Sequence, residues 1–266
     1  MISADVAAGQ DATATNYNDL RKDLTPVGTV IPYAPKSIPA GTGWLMCYGQ
    51  AVSRATYSEL FAAIVESIGT FTVTIASPAV FSKTAHGLVA GDAVYFTTTG
   101  ALPTGLSANT LYYVIAAGLT ADAFEVAATF EGAAINTSGT QSGTHTVRHC
   151  PHGLGDGSTT FNIPDMRGNF PLGRDNLGGS SRNRVTDSDA DALGRQEGSE
   201  THTLITAEIP AHTHTLALKL LSTTNGAGGQ IAETGGSNAG PTGSTGGGGA
   251  HNNMPPYMAL NYIIKY

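Results

Sequence analysis

Glu200-Thr-His-Thr-Leu204 and, just beyond it, Ile209-Pro-Ala-His-Thr-His-Thr-Leu216 are the stretches around which the chain is organised. His212 and His214 are separated by one β-branched residue. In a helix such a pair diverges, whereas in an extended strand it shares one face, roughly 7 Å apart. One chain offers two parallel imidazoles, too few to enclose a metal ion. Three chains meeting on an axis would offer six nitrogens. Imidazole suits Fe, Ni, Cu and Zn and disfavours Mg and Ca. Six ligands lean towards Fe(II), while structural Zn prefers four and stays open. Two alternatives stand beside this one. Both histidines are surface residues on a Thr-rich strand, or His202 or His251 supplies the axial layer instead.

Length and composition bound the rest. A chain of 266 residues allows one large domain or two small ones. Charged residues are 12%, aromatics 7%, and the 34 glycines are about twice the usual share. Such a composition fits a β-rich, turn-rich extracellular or virion surface better than a cytosolic enzyme. The net charge of −7, without a basic block, argues against nucleic acid as a partner. Two cysteines make no disulfide framework. Residues 1–5 show no secretion signal, and no apolar run reaches membrane-spanning length, so no membrane insertion is expected.

Residues 1–26 read as an attachment segment, with Tyr17, Leu20 and Leu24 at i, i+3 and i+7. That narrow stripe suits packing against sister chains or a larger platform, or a frayed helix on its own domain. Residues 27–68 open a compact domain. Val27–Tyr33 and Trp44–Tyr48 read as strands around a loop at Pro35–Gly43. Thr56 and Glu59 form a capping box, and Tyr57, Leu60, Phe61, Ile64 and Val65 form the buried face of one short amphipathic helix.

Residues 69–150 break the style. Phe71, Val73 and Ile75 alternate with threonines, and Ala93–Phe96, Leu111–Ile115 and Phe124–Val126 repeat the strand signal between turns. They read as a small β-barrel or sandwich. His86, His145, His149 and His152 are expected on the surface or at the barrel edge. At Gly153 the first style returns. Pro164–Gly168 is a tight loop with an Asp165–Arg167 ion pair, and Asp187-Ser-Asp-Ala-Asp191 is a solvated acidic loop. From Asn225 to Ala250, eleven residues are Gly, a composition that buries no core alone. It is a tip loop or backbone knitted against sister chains. Tyr257–Tyr266 is an apolar strand that pairs back. A Cys47–Cys150 bond stays open, though assembly in a reducing cytoplasm favours free thiols.

The run Gly155-Asp-Gly-Ser-Thr-Thr-Phe-Asn-Ile-Pro-Asp-Met-Arg-Gly-Asn-Phe-Pro-Leu-Gly-Arg174 resembles the phage tail collar family, which includes short tail fibres and some bacterial secreted proteins. Gly43-Trp-Leu45, the Gly49-Gln50 turn and the helix match its opening. Glu200–Leu204, Ile209–His214 and His251-Asn-Asn-Met-Pro-Pro256 onward match its later stretches. Ala85–Asp92 resembles a barrel module of phage structural proteins named after a portion of the ubiquitin-activating enzyme. The resemblance implies a mainly β (α+β), intertwined homotrimer with His-x-His pairs on the trimer axis. In chain order it has an attachment segment (1–26), a first collar segment (27–68), an inserted barrel (69–150) and a second collar segment (151–200). A distal tip (201–250) and a C-terminal strand returning to the collar (251–266) complete it.

No G-x-S-x-G, H-E-x-x-H, Walker A or C-x-x-C motif occurs. The expectation is therefore a non-enzymatic short tail fibre or baseplate-tip fibre of a tailed phage, assembled in the host cytoplasm and carried in the virion tail. Its partners would be two identical chains, tail or baseplate proteins through residues 1–26, and a bacterial surface glycan or protein. Gln230, Glu233 and Asn238 in the tip are the candidate receptor contacts, and His212 and His214 the candidate metal ligands. A secreted bacterial collar protein and a surface-polysaccharide-degrading tail enzyme are the alternatives. The barrel is expected to behave as a spacer that can be excised by joining Ser67 to Gly153.

Overall fold

The computed structural model describes residues 25–177, 179–212 and 247–266. Nearly all of the expected attachment segment and the heart of the expected tip lie outside them. The chain divides into two units, one running through Glu197 and resuming at Met258–Tyr266, the other Gly198–Tyr257.

In the first unit, Val30–Tyr33 (β1), Trp44–Met46 (β2) and Ala51–Ser53 (β3) precede one helix, Ser58–Ile64 (α1). Six strands follow: Ser67–Val73 (β4), Phe81–Ser82 (β5), Ala93–Thr98 (β6), Leu111–Ile115 (β7), Ala123–Ala127 (β8) and His145–His149 (β9). They close an antiparallel barrel in the order β4-β5-β8-β7-β6-β9. Thr160–Asn162 (β10) then pairs with β3. In the second unit, Thr201–His202 (β11) pairs with His251–Asn252 (β12). The last strand, Asn261–Lys265 (β13), lies between β1 and β2. It is shorter than the apolar run Tyr257–Tyr266, whose first residues are exposed.

The barrel forms because its strands alternate. β7 and β9 bury every second residue, and the inward side chains build an aromatic stack. Phe81 lies parallel to Phe96 at 5.0 Å and to Phe124 at 5.1 Å, while Phe96 meets Tyr112 at 5.4 Å. Such ring pairs add roughly 0.5–1.5 kcal/mol each beyond area burial. Ile75, expected on this inner face, is instead 45% exposed, because the strand ends at Val73 and the chain turns through Ser77-Pro78.

The barrel histidines are another correction. His86, His145 and His149 are buried, not surface residues. Their rings act as polar pegs that tie loops to strands. His86 Nδ1 accepts the Leu88 N–H at 3.0 Å, and His145 sits between the Thr98 hydroxyl at 2.8 Å and the Gln141 side-chain oxygen at 3.1 Å.

In the collar region, α1 buries Leu60 completely, with Phe61 and Ile64 half-buried beside it. The expected capping box does not form. The N-cap is Tyr57, without a side-chain cap, and the Thr56 N–H goes to Ser53 Oγ at 3.2 Å. Seven residues cannot hold a helix alone; packing does. Phe61 meets Phe161 at 5.2 Å and Tyr57 meets Tyr266 edge-on at 4.8 Å.

Barrel and collar share a core. Tyr95 of β6, only 1% exposed, clusters with Cys47, Val52, Leu60, Phe161 and Ile264 from outside the barrel, as do Cys150 and Leu111. Val94 and Phe96, its neighbours in β6, point the other way into the barrel stack. A free-standing spacer would leave no such cluster, and excision between Ser67 and Gly153 removes all three of its barrel-side members. Tyr95→Ala is therefore expected to cost about 3 kcal/mol, with the barrel and collar signals melting together in urea. A barrel-deleted chain that keeps the near-ultraviolet signal of Trp44 would show the two cores to be independent.

Candidate functional site

The polar loops that follow the barrel are set by single carboxylates. In the Gly155–Thr160 turn, Asp156 accepts the N–H groups of Ser158, Thr159 and Thr160 at 2.7–2.9 Å. The Thr159 hydroxyl and these donors hold its carboxyl well below the usual range. Gly155 is required here, since its φ is +68° and a Cβ would stand 2.5 Å from the Thr160 hydroxyl. Asp165 takes two bonds from the Arg167 guanidinium, at 2.9 and 2.6 Å, as expected from the Pro164–Gly168 loop. The fork lowers the Asp165 pKa and raises that of Arg167. The pair is exposed and structural.

The expected solvated acidic loop at Asp187–Asp191 is solvated only in part: Asp187 is exposed, but Asp189 is buried. It forms a 3-10 turn, Ser188–Asp191, with the Asp187 side chain accepting the Asp189 N–H. Asp189 is buried and meets Arg195 at 3.2 Å, and that guanidinium lies 3.3 Å over the Phe130 ring of the barrel. Of its three carboxylates, Asp189 is the one paired with an arginine, six residues downstream.

The two thiols are free and buried in the shared core. Burial, then the nearby Asp165 charge, pushes Cys47 up to about 12; burial pushes Cys150 up to about 11. Neither is a nucleophile at neutral pH.

The second unit holds the histidine cluster. His212, one of the two expected metal ligands, is exposed and lies outside any strand, and its Nδ1–H donates to the Pro210 carbonyl at 3.1 Å. That bond leaves the lone pair on Nε2, the arrangement ligating histidines adopt. His214 and the expected receptor contacts Gln230, Glu233 and Asn238 lie outside the described residues. The structure brings together two histidines that the sequence raised only as alternatives. His202 and His251 face each other across the β11–β12 pair, with ring centroids 5.8 Å apart. Glu208 completes the cluster. Its carboxylate accepts the Ile205 N–H at 2.8 Å and a bond from His202 Nε2 at 2.8–2.9 Å, which together lower its pKa. Among the described residues no group of three or more His, Cys, Asp or Glu side chains is arranged to hold a metal ion.

Residues 28–71 match the family model described as Phage Tail Collar Domain. No curated protein and no solved structure matches the chain. The matched stretch runs from the approach to β1 through α1 and into β4, and the six-stranded barrel is inserted beyond it. The collar is a structural family, and a collar segment marks a tail-fibre type of structural protein, a component of the virion tail.

Burial alone lowers the His145 pKa, and burial with the neighbouring His149 lowers His152 to about 4. Unfolded histidines take up protons near pH 6.5, so the unfolded state binds more protons below that value. The stability from neutral imidazoles is full above about pH 6.5 and is lost as pH falls towards 4. Thermal melts should therefore drop steadily across that window, and His152→Gln should flatten the slope. A pH-independent melting temperature between 7 and 4 would contradict this.

Proposed function

We propose that the chain is a short tail fibre or baseplate-tip fibre of a tailed phage, a homotrimer that binds the host bacterial surface without catalysing a reaction. The observation that carries this reading is the collar match at residues 28–71. Within the collar region, Phe170, Leu172 and Leu177 are 60%, 65% and 77% exposed. Large apolar side chains left in water so close in sequence suit a surface covered by sister chains. Residues 1–26 attach the fibre to the tail or baseplate, and the tip, residues 201–250, meets a glycan or protein of the host. Three tips give avidity, so weak single contacts suffice.

His212 and His214 would hold one transition metal, Fe(II) or Zn, on the trimer axis. The tautomer that the Pro210 carbonyl selects at His212 suits that role. The ion would cross-link the three tips; the chain's own role is to present neutral imidazoles on one face.

A parallel trimer should appear in native mass spectra, with roughly one ion per three chains. The ion should be lost in the His212→Ala, His214→Ala double variant and as pH falls through the imidazole range. A soluble monomer at micromolar concentration would overturn the assembly, and a metal-free trimer would overturn the site.

Receptor contact is tested separately. Substituting Gln230, Glu233 and Asn238 together should reduce phage adsorption or shift host range while the trimer persists. Unchanged adsorption would move the contact away from those residues.

A further inference from the structure

A groove of about 640 Å³ runs along the barrel wall beside β4 and β5 and the loop entering β9. That volume lies in the range of small-ligand sites, roughly 300–1,000 Å³, but the lining is unlike theirs. It is rich in hydroxyl groups: Thr70 and Thr72 of β4, Ser82 paired across from Thr72, then Thr84 and Thr144. Among the described residues none of these five hydroxyls is committed to a hydrogen bond. One cation, Lys83, stands among them, and no carboxylate lines the groove although the chain carries a net charge of −7.

The lysine is placed. Its Nζ donates to the Thr84 carbonyl at 2.8 Å, and its stem crosses Gly69, where a Cβ would stand 3.0 Å from Lys83 Cε. The end wall is fixed as well. Gln141 donates to the Val73 carbonyl at 2.7 Å and is bonded to His145, which is bonded in turn to Thr98. Burial lowers the His145 pKa, which keeps this wall neutral.

The ligand class follows by matching. A metal ion is excluded by the missing carboxylates. Phe71 is the one large apolar residue in the lining and it is buried, which excludes an apolar ligand. A saccharide brings its own row of hydroxyls, each both donor and acceptor, and an acidic group answers Lys83. We propose that the groove between β4, β5 and the 141–145 loop binds an acidic saccharide. Its anion would sit on Lys83 and its hydroxyls on the β4 and β5 side chains. That the saccharide comes from a host surface rests on the tail-fibre reading; the binding itself does not.

The test is a titration of the isotope-labelled full-length chain, followed by amide shifts, with a galacturonate trisaccharide, glucose 6-phosphate and neutral maltotriose. The galacturonate should move the amides of Thr72, Lys83, Thr84 and Thr144 saturably, and maltotriose should bind about tenfold more weakly or worse. Lys83→Met keeps the stem and should remove that preference, Lys83→Arg should retain it, and Thr72→Val with Ser82→Ala should weaken every saccharide. Equal binding of glucose 6-phosphate keeps the class and makes phosphate an acceptable anion. Equal binding of maltotriose, wild-type affinity in Lys83→Met, or shifts confined to other residues would overturn the proposal. None of these outcomes touches the trimer or its attachment to the tail, which are read by mass and by adsorption.

Discussion

β6 is buried on both faces, and the rest of the first unit depends on that. A strand on a barrel wall ordinarily sends alternate residues to water. Here Val94 and Phe96 enter the aromatic stack, while Tyr95 enters the collar core with Leu60, Phe161 and Ile264. Arg54 reinforces the junction, lying 4.9 Å from the Phe61 ring and 5.8 Å from Tyr95. It also donates to the carbonyls of Thr160 and Leu154, in the chain that returns from the barrel. With no carboxylate among these partners, the guanidinium is held by aromatic faces and carbonyl dipoles. Moving the barrel would therefore take one aromatic face from the guanidinium as well as open a cavity.

A second contact binds the later chain to the same barrel. The 187–197 segment reaches it through Arg195, which lies over Phe130 between Asp189 and Glu197. Ala192 packs so near Gly91 that a side chain there would sit 3.1 Å from it. Asp189 in turn raises the Glu197 pKa by hydrogen bonding and by its charge. Two acids crowding one arginine make sense where the guanidinium must be neutralised and also pressed flat on a ring.

The elements legible in the sequence were those whose signal is local. Leu111–Ile115 is the strand that its β-branched and aromatic run describes, and Ala93–Phe96 has the unbroken apolar character of a strand that meets water on neither side. The opening collar motifs, Gly43-Trp-Leu45 and the Gly49-Gln50 turn, fall inside the match at residues 28–71. What escaped depends on distant partners. β3 and β10 are three residues each and exist only because the chain returns from the barrel to pair them. His145-Thr-Val-Arg-His149 looks polar, yet its two histidines are buried, His145 bonded to Thr98 of β6 and His149 set 3.4 Å from Asp92. The acidic run at Asp187–Asp191 resembled a solvated loop because Arg195 and Phe130 are invisible to a local reading. Likewise the sequence favoured His212 with His214, two residues apart. It offered His202 and His251 only as alternatives, since their facing positions arise from the β11–β12 pairing.

That pairing bears on the stretch between the two strands, residues 203–250. Both ends are gathered at one place by the β11–β12 ladder, the His202–His251 ring contact and the Glu208 bond to His202. The Asn253 N–H extends the ladder by donating to the Glu200 carbonyl at 2.9 Å. So small a clasp can close so long a segment because closure entropy rises only with the logarithm of length. Each doubling adds about 0.6 kcal/mol. Closing the 48 residues between the two strands therefore costs only about 2 kcal/mol more than closing a four-residue hairpin loop, a difference that one hydrogen-bonded ring and carboxylate contact beside the ladder can offset.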